Sequence, residues 1–138
     1  MTPPIEIHEG DELPAFRRTT GFAEWNRYAA VNDEFVPFHM DDAAAQEIGL
    51  PGAIGMGNLQ AAYLHNMLRE WLAGRGRLKT FKCRFAGLNL KGQEVTASGL
   101  VTGVTESDGT IEAELEIWTA DAEGQRLASG TCSVVFDG

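Results

Sequence analysis

The hydrophobic pattern of this chain changes period once. In the first half apolar residues recur every three or four positions; in the second they alternate with polar ones. LPAFRRTT, residues 13–20, reads as a short strand ahead of the helices. Phe22, Trp25, Tyr28 and Ala29 then share a face of a helix over GFAEWNRYAAVN, residues 21–32, with Thr20 placed to cap it. Pro37 interrupts the helical pattern. Asp41 is placed to cap a short helix, DAAAQEIG, which stops at Gly49 and Pro51. The longest helical stretch is GAIGMGNLQAAYLHNMLREWLAGRG, opened by Gly55 and Gly57 and closed by Gly74 and Gly76. Its Leu59, Tyr63, Leu64, Met67, Leu68 and Leu72, with Ala62 and Trp71, cover most of its sides, as in a helix buried all round.

The second half predicts strands. KTFKCRFAG sends Phe81, Cys83 and Phe85 one way and Thr80, Lys82 and Arg84 the other. EVTASGLVTGV is rich in Val and Thr, and RLASGTCSVVF reads as the last strand. TIEAELEIW carries the strongest alternation, with Ile111, Ala113, Leu115 and Ile117 against Thr110, Glu112, Glu114 and Glu116. NLKG, ESDG and DAEG each join Gly to Asn or Asp, as hairpin turns require. The expectation is an α+β fold in one domain spanning residues 1–138. Four long strands in meander order plus one near the N-terminus form an antiparallel five-stranded sheet, wrapped around a long central helix. Its long edges predict a dimer formed by edge-to-edge extension of the sheet.

Composition narrows the function. The 138 residues are 43% hydrophobic and 22% charged, with a net charge of −9. That balance argues against nucleic acid or an anionic membrane as the partner, and for small molecules or other protein chains. Cys83 and Cys132 lie far apart in strand-like stretches and form no CxxC, so both are expected as reduced thiols. MTPPIEIHEGDELP has neither the basic region nor the apolar run of a signal peptide, and no stretch of about 20 apolar residues predicts a membrane span. A cytoplasmic location is expected.

The chemistry concentrates in VNDEFVPFHMDD, residues 31–42. His39 stands among Asp33, Glu34, Asp41 and Asp42, with Phe35, Phe38 and Met40 as candidate apolar walls. Three readings fit these residues: a solvated loop at a helix end, a metal site, or an acid/base pair in which an imidazole and a carboxylate share one water. No second His or Cys cluster supports the metal. GAIGMGNLQ adds a second feature. The first N–H groups of a helix lack intrahelical partners and suit a developing oxyanion, although Gly55 and Gly57 also permit tight packing.

Together these stretches resemble the MaoC-like (R)-specific enoyl-CoA hydratases and dehydratases. The family's pattern is roughly S-G-D-x-N-P-x-H-x-D, followed after a short helix by I-x-H-G-M. Here N-D-E-F-V-P-F-H-M-D, residues 32–41, and I-G-M-G-N, residues 54–58, stand in those places. Pro37, His39 and Asp41 match, and Gly57 follows His39 by 18 residues, the family's separation. The resemblance implies the hotdog fold and the addition of water to a trans-2-enoyl-CoA, or its removal from an (R)-3-hydroxyacyl-CoA. It implies that His39 and a carboxylate hold the water, that the Gly57 N–H binds the thioester oxygen, and that no cofactor is needed. Val36, Phe38, Met56 and Asn58 would line the acyl site.

The departures leave alternatives open. The family's Asp falls on Glu34, with Asp33 as its rival if the loop carries a bulge; its Asn falls on Val36, and its His before the glycine on Met56. A catalytically weak acyl-CoA-binding subunit paired with a second hotdog chain, or a hotdog acyl-CoA thioesterase, are the other readings. Arg75, Arg77, Lys79, Lys82 and Arg84 form the densest basic cluster, read either as contacts for CoA phosphates or as a solvated face. His65 is expected as a core or interface histidine, and Gln60 as a residue of the pocket or of the helix's first turn.

Overall fold

A computed structural model describes residues 6–137. Residues 1–5, part of the stretch read above against a signal peptide, lie outside the described residues, as does Gly138. The elements are β1 (Phe16–Thr19), α1 (Phe22–Asn32), a 3-10 turn (Pro37–His39), α2 (Asp42–Glu47), α3 (Gly57–Leu72), β2 (Gly76–Phe85), β3 (Glu94–Ser107), β4 (Thr110–Ala120) and β5 (Arg126–Asp137). All strand pairs are antiparallel, in the order β1-β3-β4-β5-β2. Helix α3 touches all five strands, so the sheet wraps it as the hydrophobic pattern predicts. No helix among the described residues is long and apolar enough to cross a membrane.

Strand faces follow the alternation. Ala113, Leu115 and Ile117 of β4 are at most 1% exposed. Glu112 and Glu116, on the opposite face, pair with Lys79 at 3.0 Å and Arg126 at 2.8 Å. Helix α3 buries Leu59, Tyr63, Leu64, Met67, Leu68 and Leu72 in the core. It is not buried all round: Asn58, His65 and Arg69 are exposed. The sheet covers one broad face of α3, while His65 lies outside it and stacks on Phe81 at 4.2 Å between ring centroids. Cys132 is buried and Cys83 half-buried, and both are free.

Two further expectations need correction. The meander holds only for β3-β4-β5; β2 pairs with β5 at the far edge, from Gly76 opposite Phe136 to Phe85 opposite Ala128. NLKG therefore closes no hairpin. It belongs to a crossover, residues 86–93, whose backbone bonds go elsewhere: Gly55 N–H donates to Asn89 O at 2.8 Å and Ile54 bridges Leu90, Ala86 and Gly87 N–H donate to Leu127 O, and Gly92 N–H donates to Thr20 O. Once those groups are satisfied there, they cannot pair β2 with β3. Thr20 is likewise no helix cap. Gly21 holds that position without a side-chain bond, and the Thr20 hydroxyl donates to the Gln93 carbonyl at 3.1 Å and to that of Leu90 at 3.3 Å.

Leu64 sits at the centre of the α3–sheet core with no exposed surface. Leu64→Ala is expected to cost about 2–5 kcal/mol of stability through lost burial and the cavity left behind. Urea unfolding of the two proteins measures it.

Candidate active site

The site begins with a turn that proline sets up. Val36 is extended, as a residue before proline must be, and Pro37 opens the 3-10 turn. His39 N–H donates to Val36 O at 3.0 Å, while the Met40 and Asp41 N–H groups both donate to Pro37 O, at 2.9 and 3.0 Å. Asp41 then caps α2 as expected, its carboxylate accepting from Ala43 N–H at 2.9 Å. The turn directs His39 inward, where it is 6% exposed, with Phe38 beside its ring at 4.4 Å.

Ile54 holds this turn twice. Its N–H donates to Phe38 O at 3.1 Å, and its carbonyl accepts from His39 Nδ1 at 2.7 Å. A carbonyl can only accept, so Nδ1 carries the proton. In the neutral imidazole Nε2 is then a lone pair, able to take a proton.

The next residues begin α3. A Cβ on Gly55 would stand 2.6 Å from Asn89 Oδ1 and 2.9 Å from Trp25 Nε1, so only glycine lets these three segments meet. A Cβ on Gly57 would lie 2.9 Å from the Phe85 ring. Gly57 is the first residue of α3, and Met56 before it makes no side-chain cap. The helix thus begins with N–H groups that no side chain satisfies from the cap position.

These elements enclose a cleft of about 390 Å³, lined by Phe38, His39, Ile54, Gly55, Gly57, Gln60, Phe85–Asn89 and Leu127. Its polar side chains are His39, Gln60 and Asn89, and among the described residues no carboxylate lines it. Of the sequence-predicted residues, His39, Gly57 and Phe38 meet here, and so does Gln60, which the sequence left between the pocket and the helix's first turn. Asp33 does not: it is exposed in the left-handed conformation that ends α1, with φ 53°. Glu34 is half-buried beyond that helix end, its N–H bonded to Ala29 O at 3.1 Å. Tyr28, its neighbour, is raised above the usual tyrosine range, chiefly by burial and secondly by the Glu34 charge. Val36 contributes its carbonyl to the turn, Met56 is fully buried in the core, and Asn58 is exposed; none of the three lines the cleft. Of the basic cluster, Arg75 caps the C-terminal carbonyls of α3, donating to Leu72 O at 3.2 Å and Trp71 O at 2.8 Å, and Lys79 is taken by Glu112.

Sequence reasoning missed Asn89, Phe85 and Leu127. Asn89 was hidden in a turn-like NLKG, although it is 3% exposed and central to a buried polar network. Its Nδ2 donates to Thr20 Oγ1 at 2.9 Å and to Gln93 Oε1 at 3.3 Å, and its Oδ1 accepts from Gln60 Nε2 at 3.3 Å. Among the described residues no group of three His, Cys, Asp or Glu could hold a metal ion.

Comparisons with known proteins identify the family and the fold. The family model described as MaoC like domain matches residues 8–122. The chain belongs to that family, and its fold is the hotdog fold. Among solved structures, an (R)-hydratase from A. caviae involved in PHA biosynthesis superposes with a TM-score of 0.83. It is 26% identical, over 96% of this chain and 98% of the other. A MaoC-like dehydratase from Rhodospirillum rubrum gives 0.81 at 22% identity, covering 95% and 93%. The ChsH1-ChsH2 complex from Mycobacterium tuberculosis gives 0.81 at 18% identity, covering 95% and 99%. These last two show the fold alone. No curated protein matches the sequence.

Asp42 ties the site together from outside. Its carboxylate accepts from Lys91 Nζ and, at 2.9 Å, from Ala53 N–H, joining α2, the segment before α3 and the crossover. Lys91 first, and the Ala53 N–H second, hold it below the usual aspartate range. A depressed carboxylate stabilises the fold fully above its unfolded value, and that contribution is lost as pH falls through the folded one. Asp42→Asn is therefore expected to lower the urea midpoint at neutral pH, with the difference from the unmodified protein vanishing as acid protonates Asp42. Unfolding curves taken from neutral pH down through the carboxylate range check this.

Proposed function

We propose that this chain is a hydratase/dehydratase that adds water to a trans-2-enoyl-CoA or removes it from the corresponding (R)-3-hydroxyacyl-CoA. The observation that carries the reading is the buried His39, with its proton fixed on Nδ1, in one cleft with the start of α3 at Gly57. Water oxygen attacks C3 of the thioester as His39 Nε2 takes one of its protons. The C2–C3 π pair moves through C1 to the thioester oxygen, where the Gly57 N–H meets the growing negative charge. The enolate then collapses as the imidazolium returns a proton to C2. Atoms balance as one water added, and the reverse sequence is the dehydration. A carboxylate, Glu34 with Asp33 as its rival, has in this proposal the role of steadying the imidazolium formed at His39 while the proton is in transit. Both stand outside the cleft lining, so the loop 33–36 must bring a carboxylate to His39.

The apolar lining from Phe38, Phe85, Leu88 and Leu127 suits an acyl chain. β1 and β2 are the edge strands of the sheet, and in this proposal an edge pairs with a second copy, in a homodimer or higher homo-oligomer, or with a second hotdog chain; a cytoplasmic location belongs to the same proposal. One observation favours a second reading: with no carboxylate in the cleft, the chain also fits an acyl-CoA-binding subunit that works beside an active hotdog chain.

The test follows loss of enoyl absorbance with crotonyl-CoA and with longer enoyl-CoAs. Turnover is expected, and His39→Ala is expected to lower kcat/KM by about 10²–10⁴-fold. Glu34→Gln and Asp33→Asn, run alongside, assign the carboxylate to whichever shows a comparable loss. Tight thioester binding without turnover supports the subunit reading, and release of free thiol points to a thioesterase.

A further inference from the structure

One residue of the cleft lining carries a buried polar atom that nothing among the described residues satisfies. Gln60 is 3% exposed and lines the cleft, and its Oε1 has no hydrogen-bond partner among the described residues. Trp25 Nε1, Tyr63 OH and Thr119 Oγ1 are also unpaired, but none of those residues lines the cleft. Leaving a buried acceptor unpaired is unfavourable, so its retention at a cleft wall points to a ligand.

The network behind Gln60 decides which of its amide atoms is left over. Thr20 Oγ1 gives its proton to the Gln93 carbonyl at 3.1 Å or the Leu90 carbonyl at 3.3 Å, so toward Asn89 it can only accept. Asn89 Nδ2 therefore faces Thr20, at 2.9 Å, and also donates to Gln93 Oε1 at 3.3 Å. Gln93 Oε1 is itself committed as an acceptor, since Leu90 N–H donates to it at 2.8 Å. Asn89 Oδ1 is then the atom presented to Gln60, and it requires a donor, Nε2, at 3.3 Å. The chain Thr20–Asn89–Gln60 thus fixes the amide orientation, and Oε1 is the free end. Gln60 also stands three residues after Gly57, on the same side of α3 as the first N–H of the helix.

We propose that Gln60 Oε1 accepts a hydrogen bond from the hydroxyl at C3 of a 3-hydroxyacyl thioester, and from the attacking water in the reverse direction. This rests on the hydratase reading. An acceptor cannot bind the thioester oxygen or an enolate; it needs a hydrogen-bond donor, and at the reacting carbons the donor is the O–H at C3. Water at that point has two protons, one for His39 Nε2 and one for Gln60 Oε1. The carboxamide holds the oxygen without taking a proton, and the thioester oxygen remains with Gly57.

The experiment compares binding of (R)-3-hydroxybutyryl-CoA with that of butyryl-CoA, which lacks the hydroxyl. Both are titrated into His39→Ala protein, where turnover is blocked, with and without a second change at Gln60. The His39→Ala protein is expected to prefer the hydroxy thioester by roughly tenfold, the size of one such hydrogen bond. Adding Gln60→Met should remove that preference while butyryl-CoA still binds, which shows that the cleft is intact. In otherwise unmodified protein, Gln60→Met should lower kcat on crotonyl-CoA with KM nearly unchanged. The proposal is overturned if the preference survives Gln60→Met, or if Gln60-containing protein shows none. That last outcome needs no substitution at Gln60 to fold. Absence of crotonyl-CoA turnover in unmodified protein counts instead against the hydratase reading, so the two failures are told apart.

Discussion

The backbone of one residue, Ile54, carries the candidate site. Its N–H and carbonyl face the same turn, one bonding the carbonyl of Phe38 and the other the ring of His39. The first bond sets where the turn lies, and the second sets how the imidazole points and which nitrogen is left to react. Because Gly55 and Gly57 follow directly, the reactive nitrogen and the start of α3 are placed by a single short segment. Main-chain groups make these bonds, so the side chain at position 54 does not decide them.

That segment is clamped from its other side by the crossover between β2 and β3. Asn89 supplies its backbone carbonyl to Gly55 and its side chain to Gln60 and Thr20. A buried amide with these bonds made is stabilising, and with one removed it becomes a liability, because each group depends on the others for its orientation. The arrangement also explains the sheet order. Residues 86–93 serve the site instead of folding back as a hairpin, so β2 travels to the far edge and pairs with β5.

Much of this was legible in the sequence, and the illegible parts share a cause. Alternation in β4 and helical spacing in α3 report local burial; the first led to the observed faces, and the second marked the buried residues of α3 but not its exposed side at Asn58, His65 and Arg69. Pro37, Asp41 and the glycines act on their own backbone, so their effects are local too. NLKG misled because Asn and Gly suit a hairpin turn and also suit a buried crossover. Thr20 misled because a hydroxyl that can cap a helix can instead bond carbonyls some seventy residues away.

What the sequence determined by itself is the set of elements, the sheet-around-helix layout, and His39 and Gly57 as the residues to watch. Each follows from periodicity or from motif spacing along one stretch of chain. Only the tertiary structure decided that β2 lies beside β5, that Asn89 and Gln60 belong to the cleft, and that Asp33 and Glu34 stand outside its lining. Those outcomes depend on which distant backbone groups satisfy one another. Burial requires that every such group find a partner, and says nothing along the chain about which partner it will be.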